Sequence, residues 1–342
     1  MEKLPLLLPV VVVVLLTIQA QGASGSIRSS DELGYVARLA NVPVAYVRYL
    51  ALTFWPEGLA CFYPHPAVVD PNAVSLASGA FLGALGLLAT ITAGAVVVRR
   101  SHPEILIGWL WFLGMLVPVI GLLQVGAQAY ADRYTYLPSI GLGIAIVWPL
   151  WKVSCRSRVL AIAGGSAVVL VTVLLWGRTR AQCATWESSE TLFAHALAVT
   201  EKNYKAHNSY GVVLEARGEF DEARGHYEAA LEIRPKHVQA LTNLGKVLAG
   251  KGELDRCEEL FRQAIELDPR AYTAMGNLGA VRLNRGDLQG GIAYLEQALE
   301  VKEDHALHHH NLGLALRMAR RPEEAEVHLK RAAELDPRYA KR

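Results

Sequence analysis

The stretch "AHNSYGVVLEARGEFDEARGHYEAALEIRP" (residues 206–235) returns in altered form as "ALTNLGKVLAGKGELDRCEELFRQAIELDP" (240–269) and "LHHHNLGLALRMARRPEEAEVHLKRAAELDP" (307–337). Gly211, Gly245, Gly279 and Gly313 keep a 34-residue period, as do Pro235, Pro269 and Pro337, with Glu303 in the remaining slot. A fixed period of this length marks a stack of two-helix units. One unit cannot bury its own apolar face, so stacking makes the core. Small residues are expected where the two helices of a unit cross: Gly211 against Ala223, Gly245 against Cys257, Gly279 against Gly291, Gly313 against Ala325. Tyr227, Phe261, Leu295 and Leu329 are expected to fill the layers, over Ala230, Ala264, Ala298 and Ala332, and the prolines to end each second helix.

Four units follow: 204–237, 238–271, 272–305 and 306–339. Upstream, "WESSETLFAHALAVTEKN" keeps the register, since Phe193 is 34 residues before Tyr227 and Ala196 is 34 before Ala230. Residues 186–203 therefore read as a coupling helix, half a repeat. The third unit departs from the pattern, with Arg282 where the others carry Leu214, Leu248 and Leu316.

Charge divides the chain. Before Trp186 there are 12 Lys/Arg and 7 Asp/Glu in 185 residues; from Trp186 onward there are 22 and 25 in 157. The charge-poor part, about 1–180, reads as a membrane domain. Its uncharged runs predict five spans of roughly 20 residues each, at about 4–20, 76–98, 105–124, 135–151 and 159–176. The expected architecture is all-α: a polytopic helical membrane domain followed by an α-solenoid. The start "MEKLPLLLPVVVVVLLTIQAQGASGS" also fits a cleaved signal peptide.

Short loops rich in Lys and Arg face the cytoplasm. "VVRRSHPE" (97–104) and "WKVSCRSR" (151–158) are such loops, and five spans put them on one side. Loops 21–75 and 125–134, and everything after Trp176, then face outward. Arg178 and Arg180 argue mildly against this. The semi-apolar "GYVARLANVPVAYVRYLALTFWPEGLACFYPHP" (34–66) is expected to form an interfacial helix.

Cys61, Cys155, Cys183 and Cys257 form no metal-binding spacing and are expected as thiols. His308, His309 and His310 lie on one helix, where neighbouring residues point about 100° apart and cannot converge on one ion. No metal site is expected, and nothing marks nucleotide or nucleic-acid binding.

The 34-residue pattern resembles the tetratricopeptide repeat. In such solenoids the first helix of each pair lines the concave face, so Ser209, Asn243, Asn277 and Asn311 form a row there. Amides can hydrogen-bond the main chain of an extended peptide. The row resembles the asparagine ladder of O-linked N-acetylglucosamine transferase.

"RLANVPVAYVRYLALTFWPEGLACFYPHP", "GWLWFLGMLVPVIGL" and "AYADRYTYLPSIGLG", in this order before repeats, resemble the transmembrane-and-tetratricopeptide-repeat proteins. That family is related to the O-mannosyltransferases. The resemblance implies extracytoplasmic sugar transfer from a polyprenyl-phosphate donor to protein. It also implies catalytic acids on a first outer loop, and Asp31, Glu32, Glu57 and Asp70 form no such pair. The chain therefore reads as the C-terminal part of a longer architecture, with no catalytic residue of its own.

In the 125–134 loop and just beyond it, Arg133 is the candidate for a lipid phosphate. Asp132 would orient it, Tyr134 and Tyr136 would anchor at the headgroups, and His65 of "YPHP" is a weaker candidate. The expected function is protein recognition in the repeat groove at the outer face of a membrane, taken as a bacterial inner membrane. Two alternatives stand: a subunit of a protein O-glycosyltransferase, and a polysaccharide ligase with a repeat tail. Beyond such a lipid-linked donor, no cofactor is expected.

Overall fold

The computed structural model describes residues 34–70, 73–121 and 128–340. Among these the chain is all-α and divides into two compact units, one ending at Ala206 and one running from His207. The expected first span, 4–20, lies outside the described residues.

The first unit begins with α1 (Tyr35–Phe54) and the short α2 (Pro66–Val69). Three long helices follow in chain order, α3 (Gly79–Val97), α5 (Tyr136–Ser154) and α6 (Arg158–Ala184), with the shorter α4 (Pro103–Leu116) between the first two. Ser78 and Ser157 cap α3 and α6 by accepting from Phe81 and Leu160 N–H, the usual remedy for orphan amides at a helix start. Among the described residues three helices are long and apolar enough to cross a membrane: Gly79–Arg100, Asp132–Ser154 and Arg158–Ala184. The segment expected as a span over 105–124 is shorter than that. Its helix has 14 residues and gives way to turns after Leu116, near Pro118, which cannot donate to the helical ladder.

α4 and α5 cross at two glycines. A Cβ on Gly108 would stand 2.2 Å from the Gly141 carbonyl oxygen, and one on Gly141 2.4 Å from that of Gly108. Close approach through small residues is how apolar helices associate where water supplies no driving force. At the other end of the pair, Lys152 and Glu104 form an ion pair of 3.0 Å. It joins the two basic loops at one end of the bundle. α6 differs from its neighbours in having no buried residue along its 27 residues.

The interfacial helix expected within 34–66 is α1, and its aromatic face is packed rather than bare. Tyr46, Tyr49, Arg38 and Asn41 are buried. Tyr46 meets Phe112 edge to face at 6.3 Å and donates to the Leu113 carbonyl at 2.8 Å.

After α7 (Ser189–Val199), the repeats comprise α8 (Tyr204–Ala216) with α9 (Phe220–Ile233), α10 (Val238–Gly250) with α11 (Leu254–Leu267), α12 (Tyr272–Asn284) with α13 (Leu288–Val301), and α14 (Ala306–Met318) with α15 (Pro322–Leu335). The four periodic glycines are set by the bulky residue of the facing helix. A Cβ on Gly211 or Gly245 would come 2.6 Å from the ring of Tyr227 or Phe261, and one on Gly279 or Gly313 would come 2.9 or 2.7 Å from Leu295 or Leu329. The large side chain thus lies over the glycine itself, closer than the small residue expected opposite it.

Arg282 is explained by a second departure. Glu258, 3% exposed, stands where the next unit carries Ile292, and it accepts from Arg282 at 2.7 Å and Arg285 at 3.1 Å. A buried carboxylate is tolerated only with such partners. Of the four cysteines, all free, only Cys257 is buried.

His308 shows the same compensation. It occupies the position of Ala206, Ala240 and Ala274, and a Cβ on Gly276 would stand 2.1 Å from its Nε2. Gly276→Ala is expected to cost about 1–3 kcal/mol by overpacking. The double change Gly276→Ala with His308→Ala should cost less than the two single changes summed. Denaturant unfolding of the four proteins checks this; additive costs would show that the two residues do not share the space.

Candidate functional site

Residues 55–65 form an irregular strap after α1. It turns at Gly58, whose φ of +63° suits glycine. Buried backbone polar groups must find partners, and here they find them in side chains far along the chain. Gln182 donates to the Leu59 carbonyl at 3.2 Å, and His195 Nε2 lies 3.0 Å from the same oxygen. Asn203 donates to the Phe62 carbonyl at 2.9 Å, while its own oxygen accepts from Ala206 N–H at the start of α8. Lys205 sits 4.4 Å from the centre of the Phe62 ring, a cation–π contact. The segment leading into the repeats is thereby stapled to the strap.

The strap carries Tyr63, whose ring stacks on Tyr130 at 4.3 Å. Its hydroxyl accepts from Ala60 N–H at 2.6 Å and lies 2.9 Å from Asp132 Oδ2 and 3.1 Å from the Gly58 carbonyl. Burial, and then the neighbouring carboxylate, push this phenol well above its ordinary pKa. It therefore stays protonated and donates. Tyr49 accepts from Ala131 N–H at 3.0 Å, and Asn41 donates to the Ala129 carbonyl at 3.3 Å. α1 and the strap together hold residues 128–132 in place.

Of the five residues proposed for a lipid phosphate, the structure brings Asp132, Arg133 and Tyr136 to one cavity of about 260 Å³, lined also by Leu52, Pro56, Leu59 and Thr135. Arg133 is exposed, with its guanidinium 5.0 Å from the Tyr134 ring centre. Tyr136 is 81% exposed. Tyr134 instead packs on the core of the unit. His65 is fully buried, and its Nδ1 accepts from Ala67 N–H, capping α2. Burial, with the nearby Arg38, lowers its pKa to about 4, so it is neutral at pH 7. It does not line the cavity shared by Asp132, Arg133 and Tyr136. Asp132 and Arg133 were legible as charges in an apolar run, but Tyr63 was missed: it lies 69 residues from Asp132, and no periodicity links them.

In the repeats, Asn243 donates to the Asn208 oxygen at 3.0 Å. The partner lies one residue before Ser209, so a search at 34-residue spacing passes over it. The amide nitrogen of Asn277 is buried without a partner, and Ser209 and Asn311 are half-buried. His308, His309 and His310 diverge onto Tyr272, His328 and Tyr339.

Tyr63→Phe removes the hydroxyl from both Ala60 N–H and Asp132 Oδ2. It should lower stability by about 1–3 kcal/mol, read as an earlier thermal transition in detergent. Tyr136→Phe should leave the transition in place. Equal behaviour of the two proteins would remove the strap's hydroxyl from the account.

A family model described as tetratricopeptide repeat matches residues 204–270 and 270–338. Among curated proteins, the chain is 30% identical to protein O-mannosyl-transferase TMTC1 of Homo sapiens over 157 residues, 44% of this chain and 17% of that protein. It is 29% identical to TMTC3 of Mus musculus over 158 residues, 46% of this chain and 16% of that protein. The chain thus spans less than a fifth of the length of these relatives. Among solved structures, MamA from Desulfovibrio magneticus RS-1 aligns at 19% identity with a TM-score of 0.39, covering 48% of this chain and 94% of that one. A thermophilic tetratricopeptide-repeat protein of Thermus thermophilus aligns at 23% identity with a TM-score of 0.37, covering 39% and 75%. Residues 204–338 are a tetratricopeptide-repeat domain, in a chain distantly and partially related to the TMTC O-mannosyl-transferases.

Proposed function

We propose that this chain is a multi-pass membrane protein whose repeats bind extended protein segments on the extracytoplasmic side, within a lipid-donor glycosyl-transfer system. The observation that carries the membrane part is α6, an apolar 27-residue helix with no buried residue. Such a surface is stable when lipid covers it. The ion pair between Lys152 and Glu104 supports the sidedness, because it gathers both basic loops at one end. The strap and Asp132 belong to the opposite end of α5, and α6 returns to that end before the repeats begin.

A second reading is favoured by the cavity beside Asp132 and Arg133. In it, Arg133 pairs with the phosphate of a polyprenyl-phosphate sugar donor, and the chain is a subunit of a protein O-glycosyltransferase. The exposed guanidinium donates to the Tyr134 hydroxyl at 3.4 Å and carries further N–H groups for charge-assisted hydrogen bonds to a phosphate. Asp132, held by Tyr63, fixes the loop that presents it.

Protease added to sealed vesicles tests the first reading. Repeats on the extracytoplasmic side should resist digestion in vesicles whose cytoplasmic face is outermost and be cut after lysis; cutting before lysis overturns the orientation. For the second reading, Arg133→Ala should weaken retention of a polyprenyl phosphate in micelles by roughly tenfold or more, the loss of one charged hydrogen-bonding group. Unchanged retention removes Arg133 from the donor site.

A further inference from the structure

Two histidine pairs recur at the same place in the first and last repeats. His207 on α8 faces His226 on α9 with Nδ1 atoms 3.1 Å apart, and His309 on α14 faces His328 on α15 with Nδ1 atoms 2.9 Å apart. Members of the two pairs differ by 102 residues, three repeat periods. The second repeat has Leu241 and Leu260 at these positions, and the third has Met275 and Tyr294. Glu222 and Glu324, both exposed, stand one turn before His226 and His328 and act on those imidazoles electrostatically.

The hydrogen bonding around His309 fixes which nitrogen is available. Its Nε2 lies 2.8 Å from the Glu303 carbonyl, so Nε2 carries the proton and donates. Nδ1 then presents a lone pair. A ring whose far N–H is held by a backbone carbonyl is the usual arrangement of a metal-ligating imidazole. His328 needs only to move its proton from Nδ1 to Nε2 to present a second lone pair. Neither ring has to lose a net proton.

We propose that each pair is a two-histidine site for a tetragonal divalent transition-metal ion of the Cu(II) class. The spacing, which is also that of an N–H···N hydrogen bond between the two rings, is compatible with a pair of ligands at a right angle. At metal–nitrogen distances of about 2.0–2.1 Å, two ligands at a right angle stand about 2.9 Å apart, and two ligands of a tetrahedron about 3.4 Å. The observed 2.9 and 3.1 Å lie nearer the first. Imidazole ligands in tetragonal geometry suit Cu(II) or Ni(II), and Cu(II) binds such sites most tightly. Among the described residues no third His, Cys, Asp or Glu joins either pair, so water completes the shell. His226 and His328 are half-buried, which gives the ion a path from solvent.

The test uses the full chain in detergent, freed of metal with a chelator and titrated with Cu(II) chloride alone. Two equivalents are expected, with an axial electron paramagnetic resonance signal showing coupling to two nitrogens. The variants His207→Leu with His226→Leu, and His309→Leu with His328→Leu, import the apolar pair that the second repeat already uses. Each should retain helical circular dichroism and lose one equivalent; the quadruple variant should lose both. Wild-type protein that takes up no stoichiometric Cu(II) overturns the proposal. So does a quadruple variant that binds as wild type does, which would mark uptake by scattered surface histidines. Coupling to a single nitrogen would also overturn it.

Discussion

The carbonyl oxygen of Leu59 accepts from two side chains, Gln182 and His195, that arrive from more than 120 residues away. Much of the first unit's polar end depends on this arrangement. An irregular segment at the end of an apolar bundle has no neighbouring strand or helix to take its hydrogen bonds. Here one continuous stretch, from the end of α6 through the start of α8, supplies them. Once Leu59 and Phe62 are held, Tyr63 stacks on Tyr130 and reaches Asp132, and the 128–135 segment acquires a fixed shape. A loop that carries charge at the start of a long apolar helix is thus shaped by the segment that leads into the repeats.

The repeats were legible because their physics is periodic. Gly211 and its three successors must admit a bulky side chain from the facing helix, so the same residue types recur at the same interval. What the interval could not show is an interaction at another offset. Asn243 bonds Asn208, 35 residues away, and His308 fits over Gly276, 32 residues away. Reading at 34 placed Ser209 in the row and left Asn208 out. Arg282 was visible as an irregularity, but its cause, the buried Glu258, required knowing which helices touch.

The first unit was legible in composition and far less in contacts. Long uncharged runs announce apolar helices, and α3, α5 and α6 appear there. The run at 105–124 was also apolar throughout, yet its helix stops after Leu116. Composition counts the residues that lipid tolerates. It does not register where the chain turns to meet its neighbours. Likewise the sequence of α1 predicts an interfacial helix and says nothing of what its aromatic face meets. Tyr46 and Tyr49 give one face of α1 to packing, by bonding to Leu113 and Ala131.

The departures from the repeat pattern share a form. His308 with Gly276, Arg282 with Glu258, and the paired histidines of the first and last repeats are each a change at one position answered by a change at a contacting one. A large residue where three repeats carry alanine would overpack the layer without its glycine. A buried carboxylate without its arginines would carry an uncompensated charge. Such coupled changes keep the packing and the charge compensated while making the repeats chemically different from one another. The pairs fall at different places in the stack: His207 with His226 inside the first repeat, Glu258 with Arg282 between the second and third, Gly276 with His308 between the third and fourth, and His309 with His328 inside the fourth.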